Sequence, residues 1–227
     1  MQHQAWEQSF NSLSPAPALG DHVLAQLRRA IIVGELAAGT HLVESKLSAS
    51  FDVSRGPIRD ALKQLTVEGL VESRRRGTYV RGLTTSDIDE LYMIRELIEF
   101  AAVRAICERA GQVDLSGVER ELDKMRAAFE ADDRVAFADA DLQFHTAFYE
   151  AAGFPRLAAV WAQYRPTFAG MLSLTNAQDG DLAPTLRDHE SLLESVASGD
   201  TEATLEILGR HIEGSLSRMR KAYSERA

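Results

Sequence analysis

Helical periodicity runs almost unbroken through the sequence from Thr84 to about residue 223. Apolar residues recur there every three to four positions, and the interruptions are short and contain Gly or Pro. This part of the chain is therefore predicted to be all-α. The SDID sequence at 86–89 predicts the first helix start, and Pro166 predicts a kink in the fourth helix. The predicted helices span roughly residues 86–110, 114–131, 133–152, 155–175, 184–198 and 201–223.

The first 82 residues are organised differently, as three short helical segments followed by a hairpin. The helical segments are DHVLAQLRRAIIVGEL, ESKLSASF and SRGPIRDALKQLTVEGL. Ser54 suits the N-cap of the third segment, and Pro57 falls in its first turn, where a proline loses no helical hydrogen bond. VESRRRGTYVR then predicts two strands joined by a turn at 74–77. This arrangement is typical of a winged helix-turn-helix.

The predicted fold class is thus mostly α, with an N-terminal winged helix-turn-helix and a C-terminal all-α helical bundle. Residues 1–19 contain Ser, Pro, Gln and Asn among scattered apolar residues, and we predict a flexible arm there. The winged helix-turn-helix is predicted at residues 20–82. The helical domain is predicted at residues 83–227.

The charge of the chain is distributed unevenly between these two parts. The whole sequence carries a formal net charge of −9. Residues 1–82 contain 10 Lys or Arg and 8 Asp or Glu, a net charge of +2, whereas the remainder contains 15 and 26, a net charge of −11. A phosphate backbone would repel the acidic part, so any nucleic acid is expected at the first part.

Several protein classes are excluded by what the sequence lacks. Cys107 is the only cysteine, which rules out a disulfide framework within the chain and a cysteine zinc site. No run of 18 apolar residues could span a membrane. The N-terminal sequence MQHQAWEQSF has no basic region followed by an apolar stretch, so it does not resemble a secretory signal. We therefore expect a cytoplasmic protein without a membrane partner.

Basic residues in the first part suggest a surface for DNA. Arg55, Arg59 and Lys63 recur every four residues, away from the apolar stripe of the third helix. An isolated triple arginine would be interpreted as a solvated loop. The RRR sequence at 74–76 directly follows this basic helix, however, which favours a role in binding DNA.

Four residues in the helical part suggest a metal site. Asp141 and His145 are four residues apart, so they share one helix face among apolar neighbours. His189 and His211 each lie 11 residues from Asp200, so antiparallel helices joined there would bring them to the same height. One carboxylate and three imidazoles suit a transition metal. The alternative is a hydrogen-bonded Asp–His pair, with a first-turn histidine and a surface histidine elsewhere.

The sequence resembles the GntR family of bacterial transcription regulators. VSRGPIRDALKQLTVEGLVESRRRGTYV is similar to its winged-helix signature. YMIRELIE, DLQFH, DHESLLESVASGD and RHI resemble the helical FCD ligand-binding domain of its FadR-type branch. The resemblance extends over about residues 20–223.

The resemblance implies a homodimer that binds a palindromic double-stranded operator and responds to a small carboxylate effector. It implies a divalent transition metal as cofactor, zinc first, with nickel or manganese as alternatives. Some family members carry an arginine where this chain has Ser45 and Lys46, and Lys46 would replace it. Arg95 would pair with the effector carboxylate, or else form a salt bridge with Glu99. The implied operator contacts are Lys46, Ser54, Arg55, Arg59, Arg74, Arg75, Arg76 and Gly77, and the implied metal ligands are Asp141, His145, His189 and His211.

Three functions remain open from the sequence. The first is a transcription regulator, for example a repressor, whose operator affinity is set by an organic acid bound at the metal. The second is a metal-dependent, hydrolase-like enzyme. His189 and Glu190 begin an HExxH pattern, but Leu193 stands where the second histidine is needed, which argues against an enzyme. The third is a winged-helix scaffold with a non-functional pocket.

Overall fold

The computed structural model describes residues 19–224, which form two compact units and are mostly helical, as predicted. All but the last residue of the predicted arm at 1–19 lies outside the described residues. In chain order the elements are α1 (Leu19–Ile32), β1 (His41–Leu42), α2 (Glu44–Phe51), α3 (Arg55–Val67), β2 (Val71–Arg74), β3 (Gly77–Val80), α4 (Thr85–Cys107), α5 (Ser116–Glu130), α6 (Arg134–Ala152), α7 (Pro155–Gln178), α8 (Ala183–Ser198) and α9 (Thr201–Ser224).

The first unit, described from residues 19–28 and 37–81, is the predicted winged helix-turn-helix. The three strands form an antiparallel sheet in the order β1-β3-β2. Arg74 pairs with Gly77, so the wing turns through only two residues. The strand β1 was not predicted, because two residues are too short to show an alternating pattern.

The helix α3 packs through the stripe that its sequence predicts. Its buried residues are Ile58, Ala61, Leu62 and Leu65. Ser54 occupies the N-cap position with an extended backbone, but its side chain forms no capping hydrogen bond. The exposed hydroxyl of Ser54 therefore does not cap the helix by a hydrogen bond.

The second unit, described from residues 29–36 and 82–224, is the predicted helical bundle. The helix α4 contacts α6, α7, α8 and α9, so it lies at the centre of the unit. Gly153 and Gly199 end α6 and α8 in the left-handed conformation, in which glycine avoids the strain of a side chain. None of the described helices is both long and apolar enough to cross a membrane.

Several bounds in this unit differ from the expectations: α4 ends at Cys107 rather than at residue 110, α5 begins at Ser116 rather than at residue 114, and α7 extends to Gln178 rather than to residue 175. The helix α4 begins at Thr85 rather than at residue 86, because Thr84 and Asp87 form a capping box. The end of α1 belongs to the helical unit, since Ile32 packs against Gly170 of α7. A Cβ at Gly170 would stand 2.9 Å from the Cδ1 of Ile32, so any larger residue there would require the Ile32 side chain to shift.

Candidate functional site

Three buried histidines from three helices lie together inside the helical unit. His145 comes from α6, His189 from α8 and His211 from α9, and one ring nitrogen of each lies within 4.8 Å of the others. The Nε2 atoms of His145 and His211 are 3.2 Å apart. The short turn between α8 and α9 brings His189 and His211 to the same level, with ring centroids 4.6 Å apart.

Asp141 adds a carboxylate to this group. Its Oδ1 lies 3.2 Å from the Nε2 of His189 and 3.4 Å from the Nε2 of His145. Ligand atoms that surround a tetrahedral zinc ion at about 2.0–2.1 Å stand roughly 3.3 Å from one another. The same distances suit hydrogen bonds, but the nitrogen and oxygen donors and their spacing also fit one transition-metal ion. The structure thus brings together all four residues that the sequence suggested.

Two of the histidines contact other groups through their Nδ1 atoms, on the side of the ring away from Asp141. The Nδ1 of His189 donates to the backbone oxygen of Thr185 at 2.7 Å. The Nδ1 of His145 contacts a carboxylate oxygen of Glu99. An imidazole whose Nδ1–H is held by an outer acceptor presents the lone pair of Nε2, which is the arrangement common among metal ligands. In both rings it is Nε2 that faces Asp141.

Sequence reasoning missed the contact between Glu99 and His145. From the sequence, Glu99 is expected only as a partner of Arg95, because the two lie four residues apart on one helix face. The pairing with His145 joins α4 to α6 across 46 residues of sequence, and no local pattern reports such a contact.

The charge states of the site suit a bound cation. Burial alone would raise the pKa of Glu99, but His145 and Arg95 lower it to about 2. Burial would likewise raise the pKa of Asp141, yet the neighbouring histidines hold it well below its ordinary value. Burial lowers the pKa of His211 to about 3. At neutral pH both carboxylates are ionised and His211 is neutral, as metal binding requires. Burial would lower the pKa of His145, but Glu99 raises it, so a metal must displace a proton from that ring.

Arg95 lies buried beside this group, and one of its guanidinium nitrogens lacks a hydrogen-bond partner. Its side chain is 1% exposed, and its Nε lies 3.1 Å from a carboxylate oxygen of Glu99. The Nη2 atom has no hydrogen-bond partner among the described residues. The two alternatives considered for Arg95 are therefore compatible, because the ion pair with Glu99 leaves part of the guanidinium unsatisfied.

Two more buried polar atoms near the cluster lack hydrogen-bond partners. The hydroxyl of Tyr149 has none in the described part of the chain, and the Nδ1 of His211 lies 3.9 Å from a carboxylate oxygen of Asp188, too far for a hydrogen bond. Burial raises the pKa of Tyr149, which lies within electrostatic range of Arg95, so its phenol stays protonated. Unsatisfied buried donors are costly and rare in native proteins. An anion with several oxygens would satisfy donors of this kind.

The predicted DNA-contact residues outside the wing lie on the exposed face of α3 and on the adjacent α2. Arg55 and Lys46 are exposed, as is Ser54 at the start of α3. Arg59 is exposed too, but its Nε donates to Glu44 at 3.0 Å. This bond uses one of the five N–H donors of the guanidinium, and exposed ion pairs of this kind contribute little to stability.

The three arginines of the wing are not equivalent. Arg74 bonds to Glu72 and lies over the ring of Tyr79 on the face of the sheet. Arg75 and Arg76 form the exposed turn. Gly77 has a φ of +129°, which disfavours any other residue at this point in the wing.

Comparisons with known proteins agree with the geometry of both units. The family model described as "Bacterial regulatory proteins, gntR family" matches residues 19–80. The model described as "FCD domain" matches residues 90–214.

Curated relatives and solved structures extend the match over nearly the whole chain. The gluconate operon transcriptional repressor of Bacillus licheniformis is 29% identical over 220 residues, 91% of this chain and 89% of the repressor. The galactonate operon transcriptional repressor of Escherichia coli is 25% identical, over 88% of this chain and 96% of that protein. A crystal structure of a GntR transcriptional regulator from Rhodococcus sp. RHA1 superimposes with a TM-score of 0.69 at 28% identity, covering 90% of this chain and 98% of that one.

Proposed function

This chain belongs to the GntR family of bacterial transcription regulators and carries an FCD domain, and on that premise we propose that a small organic acid at a metal site controls its affinity for an operator. The DNA is bound by the winged unit, and the metal and acid by the helical unit. The relatives described above are named as regulators, not enzymes.

The single observation that carries the proposal is the convergence of donors inside the helical unit. Asp141 and three imidazoles meet at ligand spacing. Arg95 brings an unsatisfied guanidinium nitrogen to the same interior. A metal held by these four side chains would act as a Lewis acid, and it would bind a carboxylate by expanding its coordination beyond four, while Arg95 offers a second cationic contact. Zinc suits this donor set best, with nickel and manganese as alternatives.

The effector is proposed to be a sugar acid or a similar hydroxy acid. Such a molecule has one carboxylate for the metal and Arg95, and hydroxyl oxygens for donors such as the Tyr149 hydroxyl. Two relatives are named for the gluconate and galactonate operons, and both names refer to sugar acids.

The helix α9 offers a route from the metal site to the start of the helical unit. It carries His211 at the site, and one turn further Ser215 hydrogen-bonds to the hydroxyl of Tyr92 on α4 at 3.0 Å. Near its end Tyr223 donates to the backbone oxygen of Leu83. Leu83 lies three residues after the end of β3 in sequence. An effector that shifts α9 would therefore act on the segment that joins the two units, provided that it binds the two arrangements with different affinity.

The DNA-binding half is tested with duplexes selected from a random pool by the purified protein. Replacing Arg55 with Ala is expected to weaken binding to a selected duplex by about 1–3 kcal/mol, roughly 5- to 150-fold, because an arginine that holds a guanine edge contributes that much discrimination. Fluorescence anisotropy at fixed salt measures the dissociation constant. The same change at Arg156, exposed on α7 of the helical unit, is the matched control and should leave binding unchanged. Failure to enrich any duplex, or equal affinities for the two variants, would contradict DNA binding through α3.

A homodimer is proposed from the exposed surface of α4. Met93 and Leu97 stand one turn apart on this helix and are 55% and 65% exposed. A palindromic operator is matched by a two-fold protein dimer. In the proposed dimer, this apolar pair contacts the same pair of a second copy.

Replacing Leu97 with Glu is expected to weaken self-association by roughly 10- to 100-fold, because two carboxylates would face each other across the two-fold axis. Analytical ultracentrifugation over a concentration series measures the shift toward monomer. The control is Val135→Glu, a similar apolar-to-acid change at an exposed position on α6. A Leu97→Glu protein that associates as tightly as the parent would exclude this surface as the interface.

A further inference from the structure

The outer face of the wing carries a stack of three side chains that the proposed function does not explain. His41 of β1 lies flat on Tyr79 of β3, with ring centroids 4.5 Å apart and an angle of 12° between the planes. Arg74 of β2 lies over the same tyrosine, with its Cζ 4.8 Å from the ring centroid. Because β3 is the middle strand, His41 and Arg74 approach Tyr79 from the strands on its two sides.

His41 also contacts the residue that ends the wing turn. A Cβ at Gly77 would stand 2.5 Å from the Nε2 and 3.3 Å from the Cδ2 of His41. The imidazole edge therefore occupies the space that a side chain at position 77 would need. Gly77 immediately follows Arg75 and Arg76, so this contact lies next to the two exposed basic residues of the turn.

The shortness of β1 makes these side-chain contacts important. The strand has only two residues, of which Leu42 is buried and His41 is exposed on the opposite face. A two-stranded hairpin is at best marginally stable by itself. The segment is joined to β3 by this short pairing and by two backbone hydrogen bonds between Val80 and residues 39–40, so the contacts of His41 add to a limited attachment.

We propose that His41 is a positioning residue that holds the wing turn in one orientation before DNA binds. It acts through Tyr79 and Gly77 and makes no contact with DNA itself. A turn that is already ordered loses less conformational freedom on binding, which raises affinity without a new contact. The consequence for affinity rests on the proposed DNA-binding function, whereas the effect on the order of the wing does not.

The first test measures the order of the wing without DNA. Trypsin cleaves after arginine and needs a locally mobile segment, and the turn offers it Arg75 and Arg76. His41→Ala is expected to raise the rate of cleavage in the turn about three- to tenfold, in line with the loss of one ring stack. His41→Phe keeps a flat ring and should restore a rate near that of the parent. Equal cleavage rates for the parent and His41→Ala would overturn the proposal.

The second test uses the selected duplex and a double-mutant cycle. His41→Ala and Tyr79→Leu are each expected to weaken binding about three- to tenfold, and the double variant should be no weaker than either. His41→Phe should bind within about twofold of the parent. Additive losses, together with a weak His41→Phe, would show that His41 touches DNA directly and would overturn the positioning role. If the parent selects no duplex, the DNA-binding proposal fails while the protease result still decides the inference about the wing.

Unchanged thermal unfolding is the control for both tests. Since His41 is exposed and Tyr79 is only partly buried, the variants at positions 41 and 79 should unfold within a few degrees of the parent. A variant with a larger shift is replaced by His41→Gln, which removes the ring but keeps a polar side chain of similar length.

Discussion

Replacing Glu99 with Ala is expected to lower the free energy of unfolding by about 3–5 kcal/mol, because it leaves a buried charge without its partner. Arg95 and Glu99 are both essentially inaccessible to solvent, and Glu99 also contacts the Nδ1 of His145. The variant would therefore lose the counter-charge of Arg95 and the outer partner of a proposed metal ligand at once. Urea denaturation in the presence of a chelator measures the change without a contribution from bound metal.

Two further variants test whether the loss of stability comes from the unpaired buried charge. Glu96→Ala removes an exposed carboxylate three residues away on the same helix and should change stability by less than about 0.5 kcal/mol. Arg95→Met combined with Glu99→Leu removes both charges and should recover most of the lost stability, because an apolar pair often replaces a buried ion pair at little cost. A Glu99→Ala protein within about 1 kcal/mol of the parent would mean that solvent reaches this pair.

Replacing His189 and His211 together with Ala is expected to reduce affinity for the metal by more than about 100-fold. Loss of a single outer partner typically costs 10- to 100-fold, and two direct ligands should cost more. Native mass spectrometry of the purified proteins measures the bound metal, and competition with a chromophoric chelator measures the affinity. His22→Ala, at an exposed histidine of the winged unit, is the matched control.

The same double variant tests whether the effector binds through the metal. A ligand at about a hundred times its dissociation constant adds about 2.7 kcal/mol to stability, so gluconate or galactonate that binds through the metal should raise the unfolding temperature of the parent protein. The His189→Ala, His211→Ala protein should show no such rise. Unchanged metal content and an unchanged response to sugar acids in this protein would support the scaffold function instead, with four side chains that only pack.

The helices were predictable from local sequence because their periodicity and their ends are local properties. Gly153 and Gly199 lie just past the ends of α6 and α8, where the left-handed conformation is required. The exceptions were also local. The capping box pairs Asp87 of the SDID sequence with Thr84, which lies before that sequence, and the two-residue strand β1 was too short to have a pattern.

The metal ligands could be suggested from sequence, whereas their surroundings could not. Asp141 and His145 share a helix face by spacing alone, and the turn after α8 sets the level of His189 and His211. The outer contacts of the site depend on which helices pack together. Glu99 reaches His145 from another helix, and the unsatisfied nitrogen of Arg95 becomes apparent only when its whole environment is known.

The sequence by itself determined the helix order, the winged unit, the basic face of α3 and the spacing of the four proposed ligands, because each follows from interactions within a few turns of one segment. Only the tertiary structure decided that Glu99 contacts both Arg95 and His145, and that His41 lies against Tyr79 and Gly77. These contacts join segments distant in sequence. The packing of the whole chain decides which distant residues come into contact, and the periodicity of a single segment does not predict those contacts.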